Sequence, residues 1–230
     1  MNKISYKTYL NDRLNQVDFH GLSTYPLYVQ VTFDRKTLFF KSYYFELFSK
    51  PWYTVTIPDG STQGPALKQI IEKENEVIRF VIEKLNDGFS LEAFKRLYAY
   101  FSRDICEATE VSFVTYLYLF FAEKNLPHMS KLIKWGTIHL VAYDLVMDLK
   151  KIVKEPLYDE LIKQSYFQAP PYLQLFSFMR NTKNKPMFCL TAMEWDNIET
   201  IKAFKEFIES AYPKMNSTEL IGQVNNWAKY

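Results

Sequence analysis

From Tyr25 to Phe33 apolar and polar side chains alternate, with Leu27, Val29, Val31 and Phe33 on one side of an extended chain and Tyr28, Gln30 and Thr32 on the other. A period of two cannot build a helix face, so the segment reads as a half-buried β-strand. A second run, ending near Phe45, follows a polar turn placed at Arg35 and Lys36. With that turn Phe33 faces Leu38, Val31 faces Phe40 and Val29 faces Ser42, while Thr32, Gln30 and Tyr28 face Phe39, Lys41 and Tyr43. Both strands then agree on one apolar face. Their other face carries Tyr28, Gln30, Thr32, Lys41 and Tyr43, with Arg35 and Lys36 at the tip, a mixture that suits either solvent or the edge of a duplex groove.

The 230 residues suffice for a small domain joined to a larger one, and 48% hydrophobic with 17% aromatic residues supplies material for packed cores. A net charge of +2 does not mark a nucleic-acid binder, because phosphate neutralisation depends on local basic patches and none here is dense. Cys106 and Cys189 stand alone, without metal-knuckle spacing or the density of a disulfide scaffold, which fits a reduced cytoplasmic setting. The first residues carry no apolar run of a signal peptide. Val111 to Ala122 is too short to cross the ~30 Å hydrocarbon layer and reads as a buried helix, so no membrane partner is expected.

The segment Ile57 to Pro65 concentrates two prolines and two glycines and marks the end of the β signal. Beyond it Pro65 opens a helix from Ala66 to Leu85 whose stripe is Ile70, Ile71, Glu74, Val77, Ile78, Val81, Ile82 and Leu85, stopping near Gly88. Ser90 caps the next helix, buried through Leu91, Phe94, Leu97, Tyr98 and Phe101. Further helices are expected at 107–123, 137–154, 158–166, 172–179, 198–211 and 217–229, with prolines as terminators between them. Met187 to Thr191 fits a short strand or a helical turn. Core packing is the expected use of Phe113, Tyr116, Tyr118, Phe120 and Phe121.

The stretch Pro26-Leu-Tyr-Val-Gln-Val-Thr-Phe-Asp-Arg-Lys-Thr-Leu-Phe-Phe-Lys-Ser42, with a preceding strand Ile4 to Leu10, the helix 66–85 and the segment Asp87 to Leu97, resembles the N-terminal arm-type DNA-binding region of tyrosine recombinases of the phage-integrase family, carried by bacterial mobile elements. The resemblance covers about residues 1–100. It departs from the family in a turn without the usual glycine and in Gln30 where a basic residue is common. It implies double-stranded DNA as partner, read through Tyr28, Gln30, Thr32, Arg35, Lys36, Lys41 and Tyr43.

Catalysis by such recombinases needs a tyrosine nucleophile, arginines and a His-x-x-Arg element to stabilise charge on the phosphate. Arg13, Arg35, Arg79, Arg96, Arg103 and Arg180 are the only arginines, and neither His20, His128 nor His139 is followed by arginine at that step. The chain is therefore expected to be no enzyme, with no catalytic residues, metal or cofactor. Gly21 to Thr24 lacks the second glycine of a nucleophile elbow, and acidic pairs such as Glu72 with Glu76 or Asp144 with Asp148 read as solvated helix faces. His139 is expected inside a core helix and His128 on a surface loop.

These readings define an α+β chain: a small N-terminal three-stranded antiparallel sheet in residues 1–57, a linker and amphipathic helices in 58–106, and a mostly helical domain in 107–230. The function they imply is a non-catalytic DNA-binding protein, a truncated integrase or accessory factor. The alternative is a helical protein-interaction module without DNA binding, its protein partner held through the helical domain.

Overall fold

Strands β1 (Ser5–Leu10), β2 (Val17–Phe19), β3 (Leu22–Thr24), β4 (Leu27–Phe33) and β5 (Lys36–Lys41) open the chain in a computed structural model that describes residues 4–50, 53, 55–56, 62–183 and 187–227. An antiparallel three-stranded sheet has the order β1-β4-β5, with β2 and β3 as a separate hairpin. The alternating pattern has the expected effect: Leu27, Val29 and Val31 are fully buried, and Phe33, Leu38 and Phe40 pack partly buried on the same core.

The register differs from the expectation. Phe33 pairs with Lys36, Val31 with Leu38, Val29 with Phe40, Gln30 with Phe39 and Tyr28 with Lys41. The loop is the two-residue turn Asp34-Arg35, both residues at positive φ (47° and 61°), the conformation whose twist matches that of the flanking strands. The pairing has slipped by two residues from the expected one, and an even slip leaves every side chain on its face. It also ends β5 earlier. Ser42 becomes the N-cap of helix α1 (Tyr43–Phe48), its hydroxyl accepting from the Phe45 amide at 3.1 Å, so Tyr43 begins a helix where a strand was expected.

After α1 come the short strands β6 (Val55–Thr56) and β7 (Thr62–Gln63), paired antiparallel; most of the expected boundary, residues 57–61, lies outside the described residues. Helix α2 (Leu67–Leu85) buries Ile70, Glu74, Val77, Ile78 and Val81, and a 3-10 turn at Asn86–Gly88 follows, with the positive φ at Asn86 and not at Gly88. Helix α3 (Leu91–Phe101) starts as expected at Ser90, whose hydroxyl accepts from the Ala93 amide at 3.1 Å. Both helices cover the apolar face of the sheet, with Phe40 against Tyr98 (ring centroids 4.7 Å apart) and Phe33 against Phe89 (4.9 Å). The helices read as a linker thus share one compact unit with the sheet: residues 1–103, completed by 184–193, whose Cys189 is buried in that core. Met187 to Leu190 has neither strand nor helix.

The second unit comprises residues 104–183 and 194–230. It contains α4 (Ile105–Glu123), α5 (Pro127–Gly136), α6 (Ala142–Ile152), α7 (Glu155–Gln168) and α8 (Tyr172–Thr182), then, after the short α9 (Ala192–Trp195), α10 (Ile198–Ala211) and α11 (Ser217–Trp227). The helix expected at 137–154 is shorter, with α6 starting only at Ala142 after a turn, and α5 lies where the sequence pattern predicts no helix. Pro127 sits in the first turn of α5 and does not terminate a helix, since a proline there forgoes only an amide that has no partner. His139 lies exposed between α5 and α6, not in a core helix. Phe113, Tyr116, Phe120 and Phe121 of α4 are buried, and the Tyr116 hydroxyl donates to the Leu161 carbonyl at 2.6 Å. By length and composition α4 could cross a membrane (best mean hydropathy 1.3), but eight of its side chains are buried inside the protein. Glu110 caps α6 from a distance, accepting from the Ala142 amide at 2.8 Å and the Tyr172 hydroxyl at 3.0 Å.

Candidate nucleic-acid interface

Pairing of β1 with β4 widens the outward face beyond the β4–β5 hairpin. Ser5 lies opposite Thr32, Lys7 opposite Gln30 and Tyr9 opposite Tyr28, while on the other side Thr37, Phe39 and Lys41 face the same three residues. Side chains of directly opposed residues share a face, so three rows of three form one surface: Ser5, Thr32 and Thr37; Lys7, Gln30 and Phe39; Tyr9, Tyr28 and Lys41. Thr32 and Thr37 lie within hydrogen-bond distance, hydroxyl to hydroxyl, at 3.1 Å, and the Lys7 ammonium stands 4.7 Å from the Tyr9 ring centre. Phe39 is 56% exposed in the middle of this face, and among the described residues of the first unit no helix covers it.

Of the residues singled out from the sequence, Tyr28, Gln30, Thr32 and Lys41 come together on this surface. The first three are half-buried by their neighbours across the strands, and Lys41 is exposed but ion-paired to Glu46 at 3.2 Å. Arg35 is exposed in the turn. Lys36, also exposed, is opposite Phe33 and so extends from the core-facing side of the hairpin end, because the register places it there. Tyr43 is separated from the group altogether: it is half-buried at the start of α1, its ring edge-on to Tyr44 at 5.3 Å and its amide donating to the Tyr98 hydroxyl at 3.4 Å. Lys7, Tyr9 and Phe39 belong to the surface and were not singled out. Their signal was present in the alternation Ser5, Lys7, Tyr9, but β1 pairs with β4 across a separate hairpin, a neighbour relation that no local pattern encodes.

The surface is held from behind by a buried carboxylate. Glu74, on α2, is fully buried; the Ser42 and Tyr98 hydroxyls donate to its two oxygens, and the backbone of Tyr44 adds a further hydrogen bond. Burial makes it a weaker acid and pushes its pKa up to about 6, against the three hydrogen bonds that favour the charged form. The same burial, with Glu74 beside it, pushes the Tyr98 hydroxyl well above the ordinary tyrosine range. The end of β5, the start of α1, α2 and α3 are thereby fastened at one point, which fixes the strand pair from which the outward face projects. Among the described residues no three His, Cys, Asp or Glu side chains converge as a metal site.

Comparison with protein-family models, with curated proteins and with solved structures yields no match.

Proposed function

We propose that the chain is a non-catalytic DNA-binding protein that lays the outer face of its three-stranded sheet against the major groove, as the resemblance to the N-terminal half of a mobile-element integrase implies. The observation that carries this reading is the uncovered face itself: one side of the sheet is sealed by α2 and α3, while the other presents Lys7, Gln30, Thr32 and Lys41 around an exposed Phe39. A sheet of this kind can enter a groove about 12 Å wide, where Gln30 can read adenine and Phe39 can meet a thymine methyl group. Lys7 and Arg35 can neutralise phosphates, and Lys41 can exchange Glu46 for one. The action takes place in the cytoplasm and needs no cofactor.

The test is duplex binding by the full chain over a range of salt. About three neutralised phosphates give a slope near −3 for the logarithm of affinity against that of salt. Lys7→Ala with Arg35→Ala and Lys41→Ala should flatten the slope, and Gln30→Ala should alter sequence preference with the slope unchanged. Deleting residues 1–57 is not a usable control, because it would uncover the apolar sides of α2 and α3. A wild type that binds no duplex, or a triple variant with the same slope, sinks the proposal. A second reading, favoured by the Lys41–Glu46 ion pair and by the apolar Phe39, takes the face as a docking surface for a protein.

A further inference from the structure

Helix α5 and the turn after it leave an unusual surface uncovered. Its inner side is set by Ile133, which is buried in the core of the second unit, with Met129 partly buried beside it. Leu132 and Trp135, three residues apart on the outer side, are 65% and 67% exposed. Beyond Gly136 the backbone keeps closing helix-like bonds, from the Ile138 amide to the Trp135 carbonyl (3.3 Å) and from the Leu140 amide to the Gly136 carbonyl (2.9 Å). Ile138, 55% exposed, therefore continues the ridge, and Leu140 follows at 50%. At 100° per residue, Lys134, Ile138, Lys131, Trp135, His128, His139 and Leu132 occupy one arc in that order, cations interleaved with apolar side chains.

Charge selects what can cover such an arc. From Lys124 to Tyr143 the chain has three lysines and two histidines and no aspartate or glutamate. Lys124 is engaged with Glu160 at 2.6 Å, whereas Lys131 and Lys134 form no ion pair among the described residues. Helix α4, which packs against α5, places its acids near its two ends, at Glu107, Glu110 and Glu123, and Glu110 is tied to the start of α6. The occupant must be anionic and apolar together. A protein partner's contact core is depleted of lysine, whereas a lipid interface accepts lysines among apolar residues because the long stems let the ammonium groups rise to the headgroups. Tryptophan favours the same depth.

We propose that α5 and the following turn, residues 127–140, lie in the surface of an anionic phospholipid bilayer, with Leu132, Trp135 and Ile138 inserted among the acyl chains and Lys131 and Lys134 at the phosphates. No spanning helix is required, because a helix lying in the interface needs one apolar side and not ~20 apolar residues. The sequence expectation of no membrane partner rests on the shortness of the apolar run 111–122, which does not bear on this surface.

The test is flotation of the full chain with vesicles of phosphatidylglycerol and phosphatidylcholine, set against vesicles of phosphatidylcholine alone. Binding should be confined to the anionic vesicles and should weaken with salt. Lys131→Ala and Lys134→Ala should each lower the partition about fivefold, and Leu132→Ser with Trp135→Ser should lower it at least as far as both lysine variants together. All four side chains are exposed, so circular dichroism and the melting transition of each variant should match the wild type. Equal partition onto neutral and anionic vesicles, no flotation of the wild type, or full flotation of the serine variant overturns the proposal. So does a wild-type dimer, seen by sedimentation without flotation, that the serine variant dissociates, since the ridge then seats a second copy of the chain.

Discussion

Glu74 holds a carboxyl group out of water while three donors point at it, and the two influences act on its proton in opposite senses. Burial prevails: the group is shifted up from 4.5 to about 6, so the native state binds this proton more tightly than the unfolded chain does. Its contribution to stability is then complete below about 4.5 and is lost as pH rises to about 6, a change of about 2 kcal/mol. Denaturant unfolding of the wild type and of Glu74→Gln should reveal it as a difference between the two proteins that grows in the variant's favour by that amount across the window; a difference independent of pH would contradict the assignment. Glu74→Ala should instead destabilise the fold at every pH by about 2–4 kcal/mol, because it strands buried donors from Ser42, Tyr98 and the α1 backbone. The sequence held half of this. Glu74 stood visibly inside the apolar stripe of α2, which marks a buried acid. Its partners, 32 and 24 residues away, could not be located, since nothing local ties Ser42 or Tyr98 to that position.

The elements show where such legibility ends. Alternation assigned the faces of β4 and β5 correctly, because burial on one side is a strong and local constraint. It could not assign the register, which the turn decides, and Asp34-Arg35 adopts positive φ at both positions without a glycine to announce it. Arg35→Gly should relieve that conformation and stabilise the first unit by about 1 kcal/mol, seen as a higher melting temperature. If the sheet binds DNA, the same variant loses affinity, and an arginine kept at a position that suits glycine becomes intelligible. Helix α1 was hidden for a different reason: Tyr43 to Phe48 is almost wholly aromatic and apolar, a composition favoured in strands, and it turns helical under the Ser42 cap and the packing of Tyr44, Phe45, Leu47 and Phe48 into the core. Helix α5 was obscured by its proline, which reads equally as a stop or as a first-turn residue.

For the whole molecule, composition and the shift from β to helical pattern were enough to give an α+β chain with its sheet at the N-terminus. They were not enough to show which helices belong with the sheet, since α2 and α3 look like any amphipathic pair until the face they cover is known. Nor could they show that residues 184–193 return to the first unit, carrying buried Cys189 with Met187 and Phe188 at its side. A fragment of residues 1–103 should therefore be less stable than the same residues in the intact chain, by the several kcal/mol that follow from opening a cavity of that size in a core. Hydrogen exchange of the α2 and α3 amides in fragment and full chain measures this directly, and equal protection would show that the returning segment contributes nothing.

The discontinuity of the first unit also has a consequence in time. A ribosome delivers the sheet, α2 and α3 early, yet the last residues of their core arrive only with Met193, after the whole of α4 to α8 has been made. For that interval the sheet domain is an incomplete nascent fold beside a second one in progress, the situation in which exposed apolar surface recruits chaperones. Synthesis stalled on either side of position 193 should yield chains that differ sharply in resistance to protease within residues 4–103, and the moment of protection would date the completion of the N-terminal unit.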